Sequence, residues 1–375
     1  MRLAIDARKL TDYGIGTYLT HLLRGLTSRS EIDLTVLARH GHEERVDALA
    51  PGAKIITVGA GGYSLNEQWQ VPLALWREPL DLLHVPHYVI PLASRVPVVS
   101  TIHDIIQLFY PPSRRTGQAL LYLRAMIRLT LRRSRHVITV SRASRRDLVR
   151  IFGADRARLS VVANGVDEEL AHRPDEAILT NLKKRLGLKP PLLLAVGNDK
   201  PHKTLDTVLR VFHLAVRRHQ IPGQLVFVGG VERNGAIRRK ADHLGLGQRV
   251  RIVGRVSTEE LHGLYHASSV LVHLALYEGF GYPILEAMHA GLPVVTSNLG
   301  AMQELGEGAA LLVNPLDVQE GASALDQVLV DDPLRRRMTD AGRRRAGRLT
   351  WKRMIDGTVD AYTRALGAQS TEDAA

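Results

Sequence analysis

Short apolar runs recur along the whole chain, each followed by a polar or glycine-bearing turn and then a stretch with helical periodicity. The runs at 2–6, 34–37, 54–58, 82–85, 98–102, 136–140 and 159–162 are too short for helices and predict strands. The same pattern restarts at 192–196 and continues at 224–228, 250–253, 270–274, 293–296 and 309–313. Between the runs, helices are predicted from near Thr17, at 117–135, around Arg145, Arg146 and Arg150, and at 204–218. Further helices are predicted from Ala236 and at 258–266, 318–330, 334–345 and 350–366. Ser257 with Glu260 three residues on is a capping-box pattern. Strands separated by crossovers imply parallel sheets covered on both faces, an α/β fold. The polar stretch 168–191, ending in Lys189-Pro190-Pro191, marks a boundary between domains expected at 1–175 and 188–349.

The densest punctuation lies in 277–296. Gly279 and Gly281 make a loop to whose backbone another molecule can come close. Pro283 suits a first helical turn, Gly291 the left-handed residue after a helix, and Pro293 blocks continuation. A helix entered through a glycine loop aims N–H groups and a positive dipole end outward, which suits a diphosphate. Glu278 and Glu286 frame that entrance, and carboxylates are good acceptors for sugar hydroxyls. Together these groups describe a nucleotide-sugar site. Either glutamate alone is better read as an ordinary acidic residue beside a capped helix, Glu286 simply favouring the helix N-terminus.

Other turns carry related chemistry. Gly14 and Gly16 lie between the first strand and the first helix, where α/β folds bind phosphate. The turn 197–203 leads from a buried strand to a helix, and Lys203 is placed there to neutralise a phosphate. His103, in Thr101-Ile102-His103-Asp104, follows a strand's carboxyl end, where ligands bind in such sheets. The plain readings are a surface lysine and a histidine satisfied by neighbouring backbone. On the helix 117–135, Arg124, Arg128 and Arg132 form a basic stripe, either a solvated face or a surface for anionic lipid or a phosphorylated acceptor.

Composition narrows the field. The 375 residues suit two domains, with 45% hydrophobic residues and no apolar stretch long enough to span a bilayer. The N-terminus reads as a strand broken by charge, so a cytoplasmic protein is expected. Cysteine is absent, which removes disulfides, thiolate catalysis and cysteine-bound metal. A net charge of +12 favours phosphates and a membrane surface, and no nucleic-acid-binding signature accompanies it. A nicotinamide-dependent oxidoreductase would need a full glycine fingerprint, and Leu19 stands at its third glycine. A non-catalytic membrane- or nucleic-acid-binding protein would explain the charge but not the framed helix entrance.

The 277–296 string closely resembles the donor-binding signature of family-4 retaining glycosyltransferases, and the resemblance extends over nearly the whole chain, weakest at 39–81 and after Gly367. It implies the GT-B fold, two Rossmann-like domains with parallel sheets facing a central cleft. The helix 350–366 would return to the first domain, leaving 367–375 as a disordered tail. It implies that Gly14 and Gly16 close over the donor, that His103 lies near the transferred sugar and that Lys203 contacts the diphosphate. Arg255 and Val256 would face the nucleobase, with Glu278, Gly279, Phe280, Gly281, Ile284 and Glu286 lining the donor. Relatives carry an arginine after the glycine of the 197–203 turn. Asn198 stands there in this chain, and whether Lys200 takes over the second phosphate contact is left open. No Asp-x-Asp pair occurs, so no metal and no other cofactor is expected. The expected co-substrate is a nucleotide sugar, GDP-mannose ahead of UDP-glucose. The implied reaction moves a hexose to a glycan or lipid-linked acceptor at the inner face of a membrane.

Overall fold

A computed structural model of the protein describes residues 1–59, 66–111 and 117–367. These form two compact units: Met1–Gly165 with the final helix Trp351–Gly367, and Val166–Thr350.

Among the described residues the first unit carries a sheet of seven strands, β1 (Arg2–Asp6), β2 (Asp33–Ala38), β3 (Lys54–Thr57), β4 (Leu82–Val85), β5 (Val98–Ile102), β6 (His136–Thr139) and β7 (Leu159–Val161). Their order is β3-β2-β1-β4-β5-β6-β7, and each pairing is parallel. Every residue of β4, β5 and β6 is buried, as expected of strands covered on both faces. The second unit repeats the design with β8 (Leu192–Asn198), β9 (Gln224–Gly230), β10 (Val250–Gly254), β11 (Val270–His273), β12 (Val294–Ser297) and β13 (Leu311–Val313). These run β10-β9-β8-β11-β12-β13, again all parallel. Each is a Rossmann-like sheet whose strand order reverses at its first strand, β1 beside β4 and β8 beside β11. A crevice opens outside the carboxyl ends at such a reversal.

Residues 166–175, expected in the first domain, pack in the second unit. His266 Nε2 lies 2.9 Å from Leu170 O, and Arg173 Nη1 donates to His266 O at 2.8 Å. The outgoing and returning chains meet in a parallel bridge between Val166 and Thr350.

The last helix belongs to the first unit for identifiable reasons. Trp351 stacks on His21 with ring centroids 3.9 Å apart, and Asp356 pairs with Arg29. Below them runs a buried polar chain: Tyr362 OH to His84 Nδ1 (2.7 Å), His84 Nε2 to Thr101 Oγ1 (2.8 Å) and Thr101 Oγ1 to Tyr18 OH (3.2 Å). In a dry interior each of these groups would be costly without its neighbour, so the helix and the sheet specify each other. Gly367 ends this helix. The predicted tail beyond it, 368–375, lies outside the described residues.

Two local differences from the sequence reading bear on the site. The first helix is Tyr13–Thr27, so Gly14 and Gly16 sit in its first turn and not in a preceding loop. A Cβ on Gly16 would collide with the Leu10 carbonyl oxygen, so close packing alone requires glycine there. The unpredicted helix Glu67–Leu75 is anchored by a buried ion network: Arg8 Nη2 bonds Asp6 Oδ2 at 2.7 Å and Glu67 Oε2 at 3.2 Å.

Candidate donor site

In the second unit the reversal point gathers most of the residues singled out from sequence. β8 ends in Gly197 and Asn198, and the chain turns through Lys200 into a 3-10 turn, Pro201–Lys203. β11 ends at His273, and the chain passes Glu278 and Gly279 before the helix Tyr282–Ala290. Because β8 and β11 are neighbours, both loops leave the sheet at the same crevice.

The two loops are fastened together. Leu276 N donates to His202 O at 2.7 Å, and Thr204 Oγ1 donates to Leu274 O. Thr204 sits at φ 45°, ψ 39°, a left-handed conformation that a β-branched residue avoids. Its side-chain bond to the neighbouring loop holds it there, a form of strain that concentrates at functional sites.

Lys203 Nζ and Glu278 Oε1 form the central contact, and His273 Nε2 lies 3.0 Å from the same carboxylate oxygen. Burial pushes the Glu278 carboxyl up, but the Lys203 charge and the His273 hydrogen bond outweigh it and hold the pKa at about 2. Glu278 is therefore ionised at neutral pH, with Oε1 occupied twice and Oε2 outside those two contacts. Glu286 is treated in the opposite way. Burial raises its pKa, the hydrogen bond from Tyr265 OH to Oε2 (2.6 Å) opposes that, and the charge of Asp167 adds to the rise. Two carboxylates eight positions apart thus have different electrostatic settings.

The other second-unit residues expected to line a donor lie on these two loops, on the helix Tyr282–Ala290 or after β10. Gly281, at φ 108°, caps the helix Tyr282–Ala290 without a side-chain bond, and Pro283 lies in its first turn. Phe280 is buried and meets Tyr282 edge-on, with centroids 5.4 Å apart. Ile284 is fully buried, and its N–H donates to Gly281 O at 3.0 Å. Asn198 keeps Oδ1 buried without a partner among the described residues, while Lys200 is exposed. Arg255 and Val256 follow the end of β10. A cavity of about 970 Å³ in this unit opens at the opposite strand ends near Pro191, Ser269 and Pro293, away from these groups.

Gly14, Gly16 and His103 belong to the first unit. His103 follows β5, its ring edge-on to Tyr18 with centroids 4.9 Å apart, and its backbone carbonyl accepts Ser144 Oγ at 3.0 Å. Its Nε2 is buried with no partner among the described residues, and burial lowers its pKa to about 4, so the ring is neutral. Arg124, Arg128 and Arg132 are exposed on the helix Gly117–Arg133.

His273 and Tyr265 were not anticipated from sequence. His273 is the last residue of β11, and the strand-end rule that pointed to His103 applies to it equally. Tyr265 is only 1% exposed and is indistinguishable by pattern from a core aromatic.

Two family models match the chain. One described as Glycosyltransferase Family 4 covers residues 13–170, and one described as Glycosyl transferases group 1 covers residues 180–345. The chain is 27% identical over 282 residues to O-antigen chain mannosyltransferase B of Escherichia coli, spanning 75% of this chain and 74% of that protein. It is 34% identical over 236 residues to the MMP alpha-(1->4)-mannosyltransferase of Mycolicibacterium hassiacum, spanning 61% of this chain and 54% of that one. The structure of Anabaena HepE in complex with UDP and glucose superposes with a TM-score of 0.76 at 19% identity, covering 97% of this chain and 99% of that chain.

The buried histidines predict a pH dependence of folding. Burial lowers His84 to about 3 and His103 to about 4, against about 6.5 in an unfolded chain. Below pH ~6.5 the unfolded chain takes up protons that the folded chain refuses. Stability should therefore fall by about 1.4 kcal/mol per pH unit for each such histidine until the folded pKa is reached. Glu278, depressed to about 2, loses its contribution only below its ordinary carboxylate range. Urea unfolding at pH 7.0, 6.0 and 5.0 should show a progressive loss; equal stabilities at the three values would contradict neutral burial.

Proposed function

Because the chain belongs to the family-4 glycosyltransferases, we propose that it transfers a hexose, mannose first, from a nucleotide-diphosphate sugar to a hydroxyl of a glycan or lipid-linked acceptor, with retention of anomeric configuration. The observation that carries this reading is the Lys203–Glu278–His273 contact set at the β8/β11 crevice.

The chemistry follows from the charges. Breaking the bond between the anomeric carbon and the diphosphate leaves negative charge on the phosphate oxygen. Lys203 and the helix entrance at Gly281 supply preorganised positive potential for it. Metal-independent transfer is therefore part of the proposal. Glu278, kept ionised, accepts a hydroxyl of the transferred sugar, and Glu286 accepts ribose hydroxyls while Tyr265 fixes its orientation. His103, neutral and with Nε2 unpartnered among the described residues, is assigned to a sugar hydroxyl as well. Retention is assigned to front-face attack, the leaving phosphate oxygen taking the acceptor hydroxyl's proton, with no protein nucleophile. GDP-mannose ranks ahead of UDP-glucose because the curated relatives described above are mannosyltransferases, although HepE was solved with UDP and glucose.

A panel of nucleotide sugars in a thermal-shift assay tests the donor. A true donor stabilises the protein by mass action, and GDP-mannose should give the largest shift. Removing one charge-assisted hydrogen bond costs about 1.5–3 kcal/mol, roughly ten- to a hundredfold. Glu286→Gln should weaken nucleotide binding by that factor, and Glu278→Gln should lower turnover instead. Transfer should survive exhaustive chelation. Wild-type rates in both variants, or activity abolished by chelation and restored by manganese, would contradict the assignment.

The acceptor side is proposed to work at an anionic membrane. No helix among the described residues is long and apolar enough to cross a membrane. The arginine stripe shares its helix face with Leu121, 68% exposed, and the helix Glu67–Leu75 turns Trp69 and Leu73 outward at 76% and 73% exposure. Apolar side chains beside cations suit the headgroup boundary, each cation contributing about 1 kcal/mol. Replacing Arg124, Arg128 and Arg132 with glutamine should abolish salt-sensitive sedimentation with phosphatidylglycerol vesicles while leaving donor hydrolysis intact. Unchanged sedimentation would reduce the stripe to a solvated face.

A further inference from the structure

The outer edge of the second sheet carries a cavity of about 330 Å³ that the donor chemistry does not use. β10 is the edge strand, and the cavity runs along it, walled by the strand and by Arg185, Arg233, Arg238 and Arg251. The residues that line it include four guanidinium groups and no carboxylate.

How these arginines are held decides what the cavity attracts. Arg185 pairs with Glu260, and Arg238 Nη2 donates to Asp242 Oδ1 at 2.8 Å. Arg233 and Arg251 are held by neutral acceptors. Arg233 Nη2 donates to Val253 O at 3.0 Å, and Arg251 donates to Leu186 O at 3.0 Å and Gln248 Oε1 at 3.3 Å. Neutral acceptors fix a guanidinium in place without cancelling its charge. Two of the four positive charges are thus uncompensated by ion pairs among the described residues. Gly187, at φ +64°, is part of the arrangement, since a Cβ there would collide with Arg251 Nη2.

Arg238 also donates to Val250 O at 2.9 Å and to Gly247 O at 3.0 Å. Blunting of an edge strand by cations accounts for the bonds from Arg238 to Val250 O and from Arg233 to Val253 O. It does not account for four guanidinium groups gathered on one cavity with no carboxylate in its wall.

We propose that this cavity is a second anion site, separate from the donor crevice, for a phosphate-bearing small molecule of diphosphate or sugar-phosphate size. The planar fork of arginine matches phosphate oxygens two at a time, and a volume near 300 Å³ is at the small end of ligand pockets. The site stands independently of the assignment of the donor.

Calorimetric titration with inorganic pyrophosphate, and separately with glucose 1-phosphate, tests it in a Lys203→Gln background that weakens phosphate binding at the donor loop. Pyrophosphate should bind that protein at about one equivalent, and adding Arg233→Gln should weaken it at least tenfold. Arg233→Lys should restore only part of the affinity, because a lysine has no fork. Arg251→Gln provides a second variant should Arg233→Gln fail to fold. A stronger response to glucose 1-phosphate identifies a phosphorylated sugar, and an equal or weaker one identifies free phosphates. Absence of binding in the Lys203→Gln protein, or affinity unchanged by Arg233→Gln and Arg251→Gln in folded protein, would overturn the proposal.

Discussion

One ion pair, Lys203 with Glu278, stands at the β8/β11 crevice. That pair joins the two loops which leave the sheet at its reversal point. Under the proposed function, a diphosphate in the same crevice would compete for the same ammonium. Glu278 would not become an orphan if Lys203 turned to phosphate, because His273 also reaches Oε1. Breaking a partly buried pair outright is expensive, because it leaves an uncompensated charge. The Thr204–Leu274 and Leu276–His202 bonds keep both loops in register during such an exchange.

Placement of this pair depends on topology, and topology on buried pairing. Both sheets reverse at their first strand, so each puts loops from two adjacent strands side by side. In the first unit the same end of the sheet holds the Asp6–Arg8–Glu67 network and the His84–Thr101–Tyr18 chain. Tyr362 closes that chain from the last helix, which is why a segment far away in sequence completes the first unit.

Much of this was legible in the sequence, because central parallel strands are continuous Val, Ile and Leu runs and their ends are marked by glycine and polar turns. The turn 197–203 and the stretch 277–296 were readable as strand-to-helix passages for the same reason. The helix Glu67–Leu75 was not legible: it contains Pro72, and it exposes Trp69 and Leu73 where a core-facing stripe would bury them. Gly14 and Gly16 looked like a loop because glycine usually marks one; Gly16 is instead demanded by contact with a carbonyl inside a helix start. The Lys203–Glu278 pair spans 75 positions, and no local pattern encodes such a contact. His273 and Tyr265 are hidden because a polar atom at the end of a buried side chain leaves no trace in apolar periodicity.

The competition at Lys203 can be measured directly as the affinity of the bare nucleoside diphosphate for three proteins: wild type, Lys203→Gln and Glu278→Gln. If Lys203 is divided between Glu278 and phosphate, Lys203→Gln should bind GDP or UDP at least tenfold more weakly, about 1.4 kcal/mol. Glu278→Gln, which frees the lysine, should bind as tightly as wild type or more tightly. A Glu278→Gln protein that loses diphosphate affinity as severely as Lys203→Gln would contradict the account.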